Sequence, residues 1–138
     1  MSEKENKAVI TAFVEEVYNK KNVGAIDKYF AVDYVEHNLG APDQTGDLDG
    51  ARRAIADFLA AFPDYHATFD DVFAEGDRVA IRFTCRGTHR GAFGGAGPTG
   101  KAVVFGGLAI NRLAKGRTAE IWEIIDFPGL AKQIGSTS

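Results

Sequence analysis

The spacing of apolar residues changes once along the chain, and this change limits the folds that the sequence can adopt. In residues 2–62 apolar side chains recur every three to four positions, as on one face of an α-helix, whereas residues 65–127 alternate as β-strands do. Helices followed by strands are typical of the α+β class. We therefore predict helices packed on one face of a strongly curved, mostly antiparallel sheet, with a concave ligand pocket between them.

Three helices are predicted before the strands, at residues 2–21, 23–30 and 50–62. Ser2 and Glu5 have the spacing of a capping box at the start of the first helix. Asp49 is the predicted N-cap of the third helix. Residues 34–38 are expected to be extended, and the polar loop 39–50 that follows has a length typical of binding loops and lids.

Four strands are predicted after the helices, at residues 65–74, 78–89, 101–113 and 117–127. A last short helix is expected at 128–134, with Gly135 as its stop. The glycine-rich connection 93–100 is interpreted as a turn, because it joins two strands and lacks the Lys-Ser/Thr ending of a phosphate-binding loop.

The predicted hairpin between the last two strands sets which side chains share a face. If Lys115-Gly116 is a two-residue loop, three cross-strand pairs follow. They are Asp126 with Phe105, Trp122 with Ala109, and Ile124 with Gly107. A shift of one residue would reverse the face of every side chain.

Asp126 stands out because residues 121–127 are otherwise nearly all apolar. If both faces of this strand are covered, Asp126 is a carboxylate in an apolar pocket. Such burial costs several kcal/mol or raises the pKa of the carboxyl group, which makes Asp126 a candidate base. The alternative is that Asp126 ends the strand and caps the helix that begins at Pro128.

Composition excludes several classes of protein. The 138 residues correspond to one domain, and the net charge of −3 gives no basic surface for nucleic acid. No apolar run is long enough to span a membrane and no signal peptide is visible, so we expect a cytoplasmic protein. Cys85 is expected to be a small buried hydrophobic residue. The three histidines lack the close spacing of a metal site, so no metal is expected.

Short segments spread over nearly the whole chain match a known family. They are YVEHN at 34–38, AFPDYHATFDDVFAEGDRVAIRFTCRGTHRGAF at 61–93, PTGK at 98–101, NRLAKGR at 111–117, IWEIID at 121–126 and GLAKQIG at 129–135. In these segments the sequence resembles the SnoaL-like polyketide cyclase and ester cyclase branch of the NTF2-like superfamily. Phe83 stands where that branch often has a tryptophan, and Ala96-Gly97 stand where it often has Ile-Pro.

The resemblance implies a cone-shaped α+β barrel with a deep pocket, usually in a homodimer. It also implies ring closure of an aromatic polyketide by intramolecular aldol condensation, without a metal or organic cofactor. Asp126 would be the acid/base of that reaction. Asn38, with His37 beside it, and His89 would be polar groups of the pocket.

Two aromatic residues complete the predicted site. Trp122 and Phe105 would supply flat walls for a planar substrate.

Structural roles stay open for four of the predicted residues. His37 and Asn38 could only cap a loop, His89 could end its strand, and Trp122 could fill the core.

Two classes of function remain open at this point. The first is a cofactor-free cyclase, lyase or isomerase that acts on a small apolar carbonyl compound through Asp126. The second is a non-catalytic dimer that binds a small apolar ligand. Epoxide hydrolysis is a further alternative, and it would need an arginine and an aspartate that grip a water molecule.

Overall fold

The computed structural model describes residues 1–135. Its helical segments are α1 (Glu3–Phe13), a π-helical continuation (Val14–Asn19), a 3₁₀ helix (Val23–Lys28), α2 (Leu48–Ala61) and α3 (Phe127–Ile134). Its strands are β1 (Phe30–Asn38), β2 (Thr45–Gly46), β3 (His66–Glu75), β4 (Arg78–Thr88), β5 (Ala102–Ala114) and β6 (Arg117–Ile125). None of the helices in this part of the chain is long and apolar enough to cross a membrane.

The six strands form one open, mixed sheet in the order β2-β1-β6-β5-β4-β3. Strands β1 and β6 run parallel, and every other neighbouring pair is antiparallel. One face of the sheet is buried under the helices, where Ile10 and Phe13 of α1 and Leu59 of α2 join Ile81 and Phe105 of the strands in a single core. The predicted α+β fold, with helices on one face of a mostly antiparallel sheet, is confirmed.

Local sequence signals set most helix ends. Ser2 Oγ accepts from the Glu5 backbone N–H and Glu5 Oε1 accepts from the Ser2 backbone N–H, both at 3.0 Å, as predicted for a capping box. Gly135 ends α3 with a left-handed φ of 78°. The predicted second helix is a 3₁₀ segment that stops at Lys28, because the chain is already extended at the buried Phe30.

The predicted N-cap of α2 is wrong by two residues. Asp47 caps the helix, and its Oδ1 accepts from the Gly50 backbone N–H at 2.9 Å. Leu48 is buried and therefore belongs to the first turn of the helix. Asp49 lies within that turn, where a carboxylate still interacts favourably with the helix dipole.

The hairpin between β5 and β6 has the predicted two-residue loop but an additional β-bulge. The two loop residues have φ angles of 53° and 78°, as a type I′ turn requires. Leu113 pairs with Thr118, whereas Arg112 pairs with Glu120, so Ala119 is one extra residue in β6. A bulge of this kind moves the following residues of one strand by one position against the other.

This bulge makes the three predicted cross-strand pairs wrong. Trp122 pairs with Ile110, Ile124 pairs with Leu108, and the Asp126 backbone N–H donates to the Gly106 carbonyl instead of lying opposite Phe105. Because side chains alternate between faces, the odd-numbered residues of β6 from position 121 face the helices and the even-numbered ones face outwards.

Candidate active site

A cavity of about 380 Å³ lies between the helices and the buried face of the sheet. Of its described lining residues, eleven are aromatic: Phe13, Tyr18, Phe30, Tyr34, Phe58, Tyr65, Phe69, Phe83, Phe93, Phe105 and Phe127. Its volume falls within the range of small-molecule sites. Aromatic rings on several sides make the cavity suitable for a flat, largely apolar ligand.

Two carboxyl groups enter this cavity from neighbouring strands. Glu36 of β1 is in register with Ile121 of β6, and Glu123 follows two positions later on the same face. The two acidic side chains therefore lie diagonally across a parallel strand pair. Burial raises the pKa of Glu123 from 4.5 to about 8, and the charge of Glu36 and a hydrogen bond to it act in the same direction.

The hydroxyl group of Tyr34 makes the surroundings of the two carboxyl groups different. Tyr34 is buried in β1 and its O–H donates to Glu36 Oε1 at 2.9 Å. Burial raises the pKa of Tyr34, and the charges of Glu36 and Glu123 raise it further, so this phenol remains a donor. A carboxylate that accepts a hydrogen bond is stabilised in its charged form. At neutral pH Glu123 therefore holds its proton, beside the Glu36 oxygen that accepts from Tyr34.

A second phenol of the cavity wall, that of Tyr65, forms a hydrogen bond with the only cysteine of the sequence. The Tyr65 O–H donates to Cys85 Sγ at 3.0 Å, and Cys85 is fully buried as predicted. Burial raises the pKa of the Cys85 thiol to about 11. The sulfur is thus protonated at neutral pH, and a thiol is a poor nucleophile.

The expected position of Asp126 in an apolar pocket is wrong. Strand β6 ends at Ile125, and Asp126 is exposed at the N-cap of α3, where Oδ1 accepts from the Gly129 backbone N–H at 2.9 Å. This arrangement matches the alternative interpretation from the sequence, in which an aspartate before proline begins a helix. Asp126 is not among the described residues that line the cavity.

His37 and Trp122 also lie outside the cavity, on the outer face of the sheet. They are paired residues of β1 and β6, and their rings stack with centroids 5.3 Å apart. His37 Nε2 is 2.6 Å from Glu120 Oε2, and Arg78 lies over the Trp122 ring at 4.8 Å. Hydrogen bonds from His37 and Arg112 lower the pKa of Glu120, so this cluster includes a carboxylate at neutral pH.

The remaining three predicted site residues have different positions. Phe105 and Asn38 line the cavity, although the Asn38 amide oxygen also accepts from the Gly40 backbone N–H at 2.8 Å. His89 is fully buried outside the cavity wall, stacked on Phe62 with its Nδ1 2.9 Å from Thr99 Oγ1. These contacts indicate a structural role for His89, which holds the connection between β4 and β5 against the core.

The acidic pair was missed from the sequence, although a signal for it exists. In YVEHN the polar Glu36 follows the apolar Tyr34 at strand spacing, and in IWEII the polar Glu123 lies between Ile121 and Ile125 on one face. Each is a single acid on an otherwise apolar face. The predicted register of the last hairpin placed the face of Trp122 and Asp126 at the site, so the base was assigned to Asp126.

Phe83 shapes the cavity wall beside Gly107. A Cβ atom at position 107 would lie 2.6 Å from the Phe83 ring and 2.8 Å from the Ile124 carbonyl oxygen. Glycine is therefore required at this point of β5, because the ring of the adjacent strand occupies the space of a side chain.

The chain resembles a set of known proteins over nearly its full length. A family model described as SnoaL-like polyketide cyclase matches residues 8–134. AclR from Streptomyces galilaeus, a candidate hydroxylase, is 30% identical, with a TM-score of 0.88 over 97% of this chain and 98% of the other. A candidate polyketide cyclase from Acidithiobacillus ferrooxidans is 30% identical, with a TM-score of 0.84 over 98% of each chain.

A further solved structure agrees with these two. IdmH from Streptomyces antibioticus, also a candidate polyketide cyclase, is 31% identical, with a TM-score of 0.81 over 94% of this chain and 98% of the other. No curated protein matches this chain. The family model covers more than half of the sequence, and the fold described above agrees with it. The chain therefore belongs to the SnoaL-like polyketide cyclase family.

Proposed function

We propose that this protein is a cofactor-independent cyclase that closes a ring in a small, largely apolar carbonyl compound by the carbon–carbon bond-forming step of an intramolecular aldol condensation. The observation that carries the proposal is the pair of Glu36 and Glu123 at the wall of an aromatic cavity, where burial and the neighbouring Glu36 raise the pKa of Glu123 to about 8. Two titratable groups whose environments hold them in different protonation states can serve as base and acid in one reaction.

The proposed reaction uses each carboxyl group once. The Glu36 carboxylate removes a proton from the carbon beside one carbonyl group, and the C–H electron pair forms an enolate. The enolate carbon attacks a second carbonyl carbon of the same molecule, and Glu123 transfers its proton to the alkoxide oxygen. A proton then returns from Glu36 to Glu123 along their hydrogen bond, which restores the starting state.

The cavity walls support a substrate of this class. Aromatic rings bind a planar apolar molecule and exclude water from the carboxyl pair. Epoxide hydrolysis has less support, because none of the described lining residues is an arginine that could grip the attacking water. A purely ligand-binding role would leave the proton on Glu123 without a function.

The test compares three variants with one polar substitution each. Glu36→Gln and Glu123→Gln are expected to lower kcat for an enolisable aromatic diketone by about 10²–10⁴, the usual contribution of a general acid or base. Asp126→Asn is the matched control, because asparagine caps helices as well as aspartate does and the side chain lies outside the cavity. If Asp126→Asn lowers kcat and both glutamine variants keep the kcat of the parent, the base is Asp126 and not Glu36.

We also propose that the chain forms a homodimer through the outer face of the sheet. Exposed apolar side chains of β3, β5 and β6 form a patch on this face, which crosses β4 at Ala80 and consists of Phe73, Leu108, Ile110 and Ile124. Contiguous exposed apolar surface usually marks a protein interface. Positive and negative side chains border the patch, in the Arg82–Asp71 and Arg112–Glu120 ion pairs. The edge of the patch is therefore complementary in charge to the same edge of a second copy.

A further inference from the structure

The hydroxyl group of Tyr18 is a polar group of the cavity that the reaction above leaves unused. Tyr18 lines the cavity, yet its hydroxyl has no hydrogen-bond partner among residues 1–135. The other two phenols of the wall differ, because the Tyr34 O–H donates to Glu36 and the Tyr65 O–H donates to Cys85. The Tyr18 hydroxyl is not among the described side-chain atoms that are buried without a partner, so it is open to the cavity and free to donate to a ligand that brings an acceptor atom.

Tyr18 lies on the cavity side of the first helix, in a segment where the helix geometry changes. Helix α1 is regular until Phe13, and then Val14–Asn19 forms a π-helix. Val17 packs in the core, while Val14 and Tyr18, four residues apart, both line the cavity. Wider helical turns of this type occur frequently at functional sites.

The end of the π-helical segment is fixed to the sheet. Asn19 Oδ1 accepts from the Ala67 backbone N–H at 2.8 Å, and Asn19 Nδ2 donates to the Ala67 carbonyl oxygen at 3.1 Å. The Tyr18 ring packs edge-on against Phe13 at 5.6 Å and lies 5.4 Å from the Tyr65 ring. The orientation of the phenol is therefore set by packing before any ligand binds, which is a requirement for electrostatic stabilisation of a reacting group.

The Tyr18 hydroxyl remains protonated and lies within the field of the acidic pair. Burial raises the pKa of Tyr18, and the charges of Glu123 and Glu36 raise it further. The phenol is consequently a hydrogen-bond donor at neutral pH. Since Glu36 and Glu123 hold the base and acid functions, the remaining function for a neutral donor is to bind an oxygen atom that gains negative charge.

We propose that Tyr18 is the hydrogen-bond donor to the enolate oxygen formed when Glu36 deprotonates the substrate. This proposal rests on the aldol reaction proposed above and specifies its substrate. The substrate needs two carbonyl groups, one whose oxygen lies near Tyr18 and becomes the enolate, and one whose oxygen lies near Glu123 and becomes the alcohol. The phenolic proton stays on Tyr18 throughout, so the proton balance of the reaction is unchanged.

The kinetic test uses a pair of Tyr→Phe variants that each remove one hydroxyl group. Tyr18→Phe is expected to lower kcat by about 10²-fold, as loss of an oxyanion donor does, with KM within about threefold of the parent. Tyr29→Phe is the control, because the Tyr29 O–H donates to Glu16 Oε1 at 2.6 Å outside the cavity. An unchanged kcat in Tyr18→Phe would overturn the proposal.

A binding test does not depend on turnover. The variant Glu36→Gln removes the carboxylate charge and resembles the state after proton abstraction, so it should bind substituted phenols of low pKa as phenolates. Ultraviolet difference spectra report the ionised form. Adding Tyr18→Phe is expected to weaken this binding at least tenfold, whereas adding Tyr29→Phe leaves it unchanged.

The two tests separate failure of this proposal from failure of the proposed function. Phenolate affinity that depends on Tyr18, in a protein that turns over no dicarbonyl compound, would support the oxyanion site and reject the aldol reaction. Turnover that depends on Glu36 and Glu123 but not on Tyr18, together with unchanged phenolate affinity, would support the reaction and reject the donor role.

Discussion

The Tyr34 hydroxyl donates a hydrogen bond of 2.9 Å to the carboxylate of Glu36, two residues later on the same face of β1. This short-range contact makes the two cavity carboxyls unequal, although both are glutamates on neighbouring strands. It acts together with the burial of Glu123, which raises the pKa of that carboxyl group. The proposed division into base and acid therefore depends in part on Tyr34, which itself takes no part in the proton transfers.

Tyr34→Phe should lower activity without removing either carboxyl group. A hydrogen bond to a charged group contributes about 1.5–3 kcal/mol. Without it the Glu36 carboxylate is less stable relative to that of Glu123, so we expect kcat to fall roughly tenfold or more. Steady-state kinetics at pH 7 measure the effect. Tyr29→Phe again serves as the control, and an unchanged kcat in Tyr34→Phe would show that the hydrogen bond does not set the roles of the pair.

The raised pKa of Glu123 predicts that stability falls as pH rises. Between pH 4.5 and about 8 the folded protein holds a proton on Glu123 that the unfolded chain has released. The free energy of unfolding should therefore decrease across this window, by at most about 1.4 kcal/mol per pH unit, and level off above pH 8. Urea denaturation at a series of pH values measures the slope.

Glu123→Gln should remove this pH dependence, because glutamine does not titrate. Glu75→Gln, a change at an exposed residue of β3, should keep the parent slope. Groups with lowered pKa, such as Glu120 and Asp64, act in a lower pH range and with the opposite sign. A parent slope retained in Glu123→Gln would mean that another residue binds the proton.

The fold was predictable from the sequence because its signals are local and periodic. The capping box at Ser2, the left-handed Gly135 and the alternation of the long strands all act over a few residues. The same holds for the helix cap at Asp126, which the sequence offered as an alternative. Each of these features is determined by residues within one turn or one hairpin.

The site was predicted less well because one bulged residue of β6 determines which side chains face the cavity. Ala119 has no distinctive sequence signal, yet its insertion turns Glu123 into the cavity and Trp122 out of it. The position of Glu36 next to Glu123 depends in addition on the parallel pairing of β1 and β6, which are about 80 residues apart and have no turn to define their register. Similarly, no pattern in the sequence indicates that the first helix widens into a π-helix at Tyr18.

Substitutions at Asp126 should affect stability and leave the reaction rate unchanged. Asp126→Ala removes the side-chain acceptor for the Gly129 backbone N–H and should destabilise the protein by about 1 kcal/mol, whereas Asp126→Asn should change stability little. Thermal denaturation and kcat are measured on both variants. If Asp126→Asn keeps its stability but loses activity, Asp126 has a role in the reaction that its exposed position does not explain.

A charged residue in the outer apolar patch should dissociate the proposed homodimer. Leu108 is 53% exposed and pairs with Ile124 near the middle of the sheet, so Leu108→Glu places a carboxylate in the contact. In a two-fold symmetric interface the substitution occurs twice, and we expect the dissociation constant to rise at least a hundredfold. Light scattering after size-exclusion chromatography gives the mass of each species. Val32→Glu is the control, because Val32 is 94% exposed on β1 outside the patch. A parent protein that is monomeric, or a dimer unaffected by Leu108→Glu, would exclude this face as the contact between two copies.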